Sequence, residues 1–317
     1  MSVSPASEPV RRFTAIVNPV SGRGRALDAW TGVSDRLALA GVAATLVMSR
    51  SRAHAIESAR EAVASGDIVV AVGGDGLVRD VATGVVAANG TMAIVPAGRG
   101  NDLARALALP TTPDSLAGLL LHGTPRVIDV LSVGDVMVPG NVYVGLDARA
   151  TRLINANRWL HPLVLYRLAP VLAAIGWRRV MFTVECDGVV ATSRSHMVVV
   201  ANSGRYGNGL NIVPTARLDD GLLDVLLVDG VFVLKLTMMM AQAKTGAHME
   251  RSDVHVSTAK SVRISANRPL ALCADGDPIG LLPSTITVLP AALRLLAPGA
   301  VAGQRLDEII PVSKPAL

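Results

Sequence analysis

Along residues 13–130, short apolar runs alternate with segments whose apolar positions recur at helical spacing. Runs at 13–17, 42–47, 68–72 and 92–95 read as buried strands. Segments 26–40, 53–64, 78–88 and 102–108 read as helices. Leu27, Trp30, Leu37 and Leu39 are among the apolar positions of the first helix, and Gly66 is placed to stop the second. This β-α-β-α order predicts an α/β domain, a parallel sheet with helices on its faces. Beyond about 126 the pattern changes. Strand-like runs at 127–133, 136–138, 141–144, 180–186, 189–192, 197–202, 222–228, 254–256, 261–265, 270–274 and 285–288 are set off by tight turns, Cys186-Asp187-Gly188 among them. Only 232–247 reads there as a convincing helix. The second part is therefore expected to be β-rich and largely antiparallel. The expected division is 11–130, 131–298 and a tail, 299–317, that carries a short helix at 304–310 and can pack back on the first domain.

Composition narrows the function. The chain has 317 residues, half of them hydrophobic, which is ample for two cores. Charged residues make up 17%, which excludes a disordered chain. The formal net charge of +5 favours anionic partners. Aromatics at 3% leave no base-stacking platform, so nucleic acid is not an expected partner. Two cysteines without metal-ligand spacing fit a reducing cytoplasm, and residues 1–12 lack the apolar segment of a signal peptide. No uninterrupted apolar run is long enough to span a bilayer. The nearest approach, 160–177, contains His161, Pro162, Arg167, Pro170 and Gly176, and is flanked by Arg149, Arg152, Arg158, Arg178 and Arg179. It reads either as a core helix pair or as an apolar, basic-rimmed surface that meets a membrane.

Three glycine-rich loops follow three expected strands: Asn18-Pro19-Val20-Ser21-Gly22-Arg23-Gly24, Gly73-Gly74-Asp75-Gly76, and Gly98-Arg99-Gly100-Asn101-Asp102. In a parallel sheet they fall at one edge, where open α/β sheets bind ligands. Free backbone N–H groups at helix starts suit phosphate. The loops carry neither a Gly-Lys-Ser/Thr nor the G-x-G-x-x-G spacing, so they are not a P-loop or a dinucleotide fingerprint. Asp75 suits a magnesium ion or its water shell; the lesser alternative is a cap for the helix near Val78. Asn101 and Asp102 suit capping or ligand contact. Later, Asp275-Gly276-Asp277 offers two carboxylates at a turn, fit for a general base in phosphoryl transfer or for an ordinary hairpin. Asp219-Asp220-Gly221 reads as a hairpin loop that could take a hard cation.

In this order, Asn-Pro-x-Ser-Gly, Gly-Gly-Asp-Gly, Pro-x-Gly-x-x-Asn-Asp, Asp-Asp-Gly and a late Asp-Gly-acidic triplet resemble the soluble bacterial diacylglycerol kinases, relatives of the sphingosine kinases. The resemblance spans about 11–298. It implies a nucleotide-binding N-terminal domain, a β-sandwich-like C-terminal domain, and an active site between them. It implies ATP and magnesium, diacylglycerol as the membrane lipid substrate, peripheral contact with an anionic membrane surface at the inner face, and it leaves room for a homodimer. Carried over, Asn18, Pro19, Val20, Ser21, Gly22, Ser49, Gly73, Gly74, Asp75, Gly76, Leu77, Val78, Arg79, Gly98, Arg99, Asn101 and Asp102 would contact nucleotide. Asp277 would accept the acceptor's proton, with Asp275 as partner or rival and Asp75 as the acidic member of the nucleotide loop. Arg217 and Leu222, through carbonyls, and Asp220 would hold a structural magnesium ion. The chain departs from the family at Leu77, commonly threonine, at Arg79, commonly asparagine, at Arg99, commonly threonine, and at Asp277, more usually glutamate. Arginines there would bind phosphate bidentately or fill the nucleotide pocket. Kinases of other lipid alcohols (a sphingoid base, ceramide, a glycolipid) and a non-catalytic lipid- or nucleotide-binding homologue are the alternative readings.

Overall fold

A computed structural model describes residues 11–157, 162–207, 209–229 and 233–299. The expected helix at 304–310 and the flanking Arg158 lie outside these residues. The N-terminal half runs β1 (Phe13–Val17), α1 (Ala26–Leu39), β2 (Ala44–Met48), α2 (Arg52–Ala64), β3 (Ile68–Gly73), α3 (Asp75–Ala87), β4 (Thr91–Pro96), α4 (Asp102–Ala106) and α5 (Pro113–His122). Strands β2, β1, β3 and β4 pair in that order, all parallel. Their apolar runs are buried because helices cover both faces: Ile16, Val69 and Ala71 face α2 and α3 in one core, and Phe13, Val70 and Val72 face α1 and α5 in the other. The helix α5 is an addition to the pattern read above. Thr112 caps it, accepting from Ser115 N–H at 3.3 Å, with Pro113 in its first turn.

The rest runs β5 (Pro125–Val133), β6 (Val136–Val138), β7 (Asn141–Gly145), α6 (Leu146–Ala156), α7 (Pro162–Ala174), β8 (Val180–Cys186), β9 (Val189–Ser195), β10 (Met197–Ala201), β11 (Arg205–Tyr206), β12 (Leu210–Asn211), β13 (Leu223–Val228), α8 (Val233–Gln242), β14 (Val254–Ala259), β15 (Ser261–Ala266), β16 (Ala271–Ala274), β17 (Asp277–Leu281) and β18 (Ser284–Leu296). A six-stranded antiparallel sheet, β14-β13-β10-β7-β16-β17, packs across an apolar core against β8, β15 and β18. The layered β-rich domain matches expectation, with two corrections. Among the described residues it carries three α-helices, not one, and the described part of the 160–177 stretch holds the one helix α7 rather than a pair. Helices α6, α7 and α8 shield the outer face of the six-stranded sheet, where Tyr143, Met197, Val199 and Leu226 meet Leu146, Ala173, Met239 and Ala243.

Strand β18 joins the two halves. Ser284–Thr287 pairs with β15, whereas Arg294 and Leu295 run parallel to β4 and the strand pairs along β5. Between them, Pro290 and Ala291 break register, with Ala291 at φ 53°. The buried Asp129 of β5 closes this bulge. Its carboxylate accepts Ala291 N–H and Gly221 N–H, both at 2.7 Å. One continuous ladder therefore ties the parallel sheet to the sandwich and fixes the seam between them.

Candidate active site at the seam

The three glycine loops sit together at the C-terminal edge of the parallel sheet. Ala97 N–H donates to Gly73 O at 2.8 Å, and Asn18 N–H to Val72 O at 3.1 Å. A Cβ on Gly98 would overlap the Gly74 Cα, so the second and third loops touch backbone to backbone. Gly22, at φ 60°, lies against Ala97 O in the same way. Val20 is exposed beside this meeting point, Pro19 is exposed, and Ser49 follows β2 with its N–H on Val17 O. The first loop forms a short 3-10 turn over Ser21–Arg23 before α1.

Asp75 does not cap its own helix, whose N-cap is Gly74 with no side-chain bond. It reaches across to the third loop instead. Its Oδ2 accepts Asn101 N–H at 2.8 Å, and the N–H groups of Asp102 and Leu103 also draw on it. Burial, together with the neighbouring Asp102, still pushes its carboxyl up to about 6. Asn101 pins its loop from within, accepting Gly98 N–H at 2.9 Å and donating to Gly98 O. Asp102 crosses the seam, accepting Gly209 N–H at 2.8 Å through Oδ1. Arg99 is half-buried on the same loop.

The C-terminal half contributes the β16–β17 hairpin. Asp275 and Gly276 form its two-residue turn at φ 51° and 89°, the geometry that Asp-Gly favours. Asp277 is thus the first residue of β17, and its carboxylate lies over the glycine loop: a Cβ on Gly76 would stand 2.9 Å from Asp277 Oδ2. Asp275 turns inward against Gly140. Burial holds its carboxyl well above the usual range; Arg79 opposes this, and Asp75, Asp102 and Asp277 add to it. Tyr143 supports the turn, its hydroxyl accepting Gly276 N–H at 3.1 Å and sharing a bond with Thr151. Asp75, Val78, Arg79, Leu103, Pro139, Gly140 and Asp275 line a narrow crevice here.

Two residues expected to contact nucleotide, Leu77 and Arg79, have their side chains engaged elsewhere. Leu77 is buried among core side chains, so the position commonly held by threonine serves packing. Arg79 lies beside Gly76, its NH2 3.9 Å from where a Cβ there would stand, but its hydrogen bonds go across the seam and to its own neighbour rather than to the glycine loops. Its NH1 donates to Ala274 O at 2.9 Å, and its Nε and NH2 donate to Asp80 Oδ1 at 3.1 and 3.0 Å. Its NH2 also lies 3.4 Å from Asp277 Oδ2. Burial works against the guanidinium's charge, but Asp275, Asp80 and Asp277 more than restore it.

The Asp219–Gly221 turn lies apart from this site. Asp129 holds it, Asp220 Oδ1 accepts Leu222 N–H at 3.0 Å, and the Arg217 guanidinium lies 3.3 Å from Asp219. Among the described residues no three His, Cys, Asp or Glu side chains form a metal cage. The Asp75–Asp102–Asp275–Asp277 group does carry an excess of mutually repelling carboxylates, which fits a divalent cation whose remaining ligands are phosphate and water.

Sequence reasoning missed Asp129 and Tyr206, and gave no role to Asp147. Asp147 heads α6, accepts from Tyr206, and keeps a fully buried Oδ2 with no partner; burial pushes it up to about 6. An Asp two residues past the glycine that ends β7 was the available signal.

The diacylglycerol kinase catalytic domain model matches residues 12–133, and the YegS C-terminal NAD kinase beta sandwich-like domain matches 140–297. A diacylglycerol kinase of Mycobacterium tuberculosis is 32% identical over 299 residues, covering 91% of this chain and 96% of its own length. One from Bacillus subtilis is 24% identical over 310 residues, covering 94% and 100%. A crystal structure of a diacylglycerol kinase from Bacillus anthracis superposes with a TM-score of 0.76 at 20% identity, over 93% of this chain and all of that one.

Proposed function

From the premise that this chain belongs to the bacterial diacylglycerol kinase family and is a kinase, we propose that it transfers the γ-phosphoryl group of ATP, with magnesium, to the free hydroxyl of diacylglycerol, giving phosphatidic acid. The observation that carries the reading is the seam itself. A glycine-loop edge fit for phosphates meets the hairpin carboxylate of Asp277. The loops 18–22, 73–76 and 98–102 would seat the triphosphate with backbone N–H groups. Asp75 and Asp102 would hold magnesium, which offsets charge on the transferring phosphoryl group. Asp277 is the better candidate base because its side chain is 42% exposed, whereas Asp275 is packed inward. It would take the hydroxyl proton as the oxygen attacks in line.

The acceptor would arrive from a membrane. On α7, Leu168, Val171 and Leu172 form an exposed apolar stripe at helical spacing, continued by Ile175 just past its end and by Met238 of α8. Exposed Arg152, Arg178, Arg179 and Arg268 rim it, with Arg268 stacked 4.7 Å over Trp177. No helix among the described residues is long and apolar enough to cross a membrane. The chemistry therefore fits peripheral docking on anionic lipid at the cytoplasmic face.

The test is a transfer assay. Purified protein receives labelled ATP and magnesium with mixed micelles of diacylglycerol, ceramide, a sphingoid base or a glycolipid, with and without chelator. Labelled phosphatidic acid, lost on chelation, is expected. ATP binding with no transfer to any lipid would overturn the reading in favour of a non-catalytic homologue.

A further inference from the structure

Arg79 has no part in the chemistry above, yet it is among the most heavily engaged side chains at the seam. It stands on α3 in the N-terminal half and is only 3% exposed. Its partners Ala274 and Asp277 lie 195 and 198 residues further along, on the hairpin that carries the proposed base. Its third partner, Asp80, is its own neighbour on α3 and is also met by Arg52 of α2 at 3.4 Å. Arg52 and Asp80 thus brace one side of the guanidinium while the hairpin takes the other.

We propose that Arg79 is a positioning residue, a clamp across the seam that fixes the β16–β17 hairpin on the glycine loop and so sets where the Asp277 carboxylate stands. The proposal rests on the kinase reading for its effect on turnover, but not for the clamp itself. The fork geometry supports it. A planar guanidinium can spend Nε and NH2 on one carboxylate and NH1 on a carbonyl, holding both in fixed relation. The bond to Ala274 O grips the backbone one residue before the turn. Asp277 is met only at 3.4 Å, close enough to be oriented, while its side chain stays open to the cleft. Arginine keeps its charge when buried, so the clamp persists across the working pH range. Lysine would bring charge without the fork. Asparagine, common here in the family, is too short for the same reach.

The test compares Arg79→Met, Arg79→Lys and Asp80→Asn with the wild-type chain. Three readouts are taken: kcat for lipid phosphorylation, ATP affinity by calorimetry, and amide hydrogen exchange in peptides covering 274–277. In Arg79→Met, kcat should fall by about 100-fold, the cost of displacing a catalytic group by about 1 Å. ATP affinity should stay within about threefold, because the nucleotide loops do not use the guanidinium. Exchange at 274–277 should quicken while that of β1–β4 holds. Arg79→Lys should recover part of kcat, the charge without the fork. If Arg79→Met fails to fold, Asp80→Asn serves, with a smaller loss of kcat, about tenfold, and unchanged ATP affinity. Wild-type kcat in the variants, or ATP affinity falling in step with kcat, would overturn the proposal. So would unchanged exchange at 274–277, even if the wild-type protein phosphorylates no lipid, so the clamp and the kinase reading fail separately.

Discussion

The N-terminal side of the seam is built from backbone, and the C-terminal side from side chains. Glycines 22 and 98 bring three loops into contact so closely that a Cβ on either would collide with the backbone of a neighbouring loop. The titrating groups there are tied to backbone: Asp75 is committed to N–H groups of the next loop, and Asp102 accepts Gly209 N–H across the seam. Across the seam, the hairpin offers carboxylates whose state depends on burial and on one another, with Arg79 as the fixed countercharge. The first surface suits a ligand recognised by shape and N–H donors, as phosphates are. The second suits proton transfer, where environment sets basicity. Substitutions should therefore fail in different ways on the two sides.

The largest effect on nucleotide binding is expected from Gly98→Ala. A methyl there overlaps the Gly74 Cα, so the loops must part, and ATP affinity should fall by about 100-fold or more. Normal ATP binding in this variant would contradict the backbone-built account.

A different signature, pH dependence, should mark the other side. Asp147, buried beside Tyr206, is pushed up to about 6. Its folded-state value is raised, so the folded chain holds a proton that the unfolded chain releases between about pH 4 and 6. Stability should fall as pH rises through that window, and the loss is complete above it. Asp147→Asn removes the slope. Relative to wild type it should gain up to about 3 kcal/mol between pH 4 and 8, measured by denaturant unfolding at both pH values. An equal difference at both would show that Asp147 ionises freely.

A change of about tenfold is expected at the apolar stripe. Leu172→Asp should weaken sedimentation with anionic vesicles by roughly that factor, since it removes one buried apolar contact. Binding equal to wild type would remove α7 from the membrane account. The smallest effect should be that of Asp275→Asn. Its carboxyl is already held toward the neutral form by burial, so the amide is a close replacement, and kcat should drop by less than about tenfold. A collapse of turnover would move the base to Asp275.

The same contrast explains what the sequence revealed. The parallel strands were legible because burial on both faces leaves near-continuous apolar runs, and the glycine motifs stand at their ends. Helix α5 was overlooked although Thr112-Pro113 announces it. Helix α6 was hidden by its charged residues and by Gly145, which passes from strand to helix with no loop. The last part of β18 was masked by Pro290, because only distant partners on β4 and β5 make 291–296 a strand. The motifs named Asp75 and Asp277 but not what each touches. Asp75 serves another loop's helix, and Arg79 meets residues nearly two hundred positions away. Contacts of that kind leave no local pattern.

The central claim is that a nucleotide seated on the glycine loops is attacked under the control of Asp277 from the opposite half. The direct measurement is single-turnover phosphoryl transfer from ATP to diacylglycerol by wild-type and Asp277→Asn protein, with ATP affinity measured alongside. Transfer by the wild type, a loss of about 10²- to 10⁴-fold in the variant, and equal ATP affinity are predicted. Wild-type rates in Asp277→Asn, or a rate loss matched by lost ATP affinity, would contradict it.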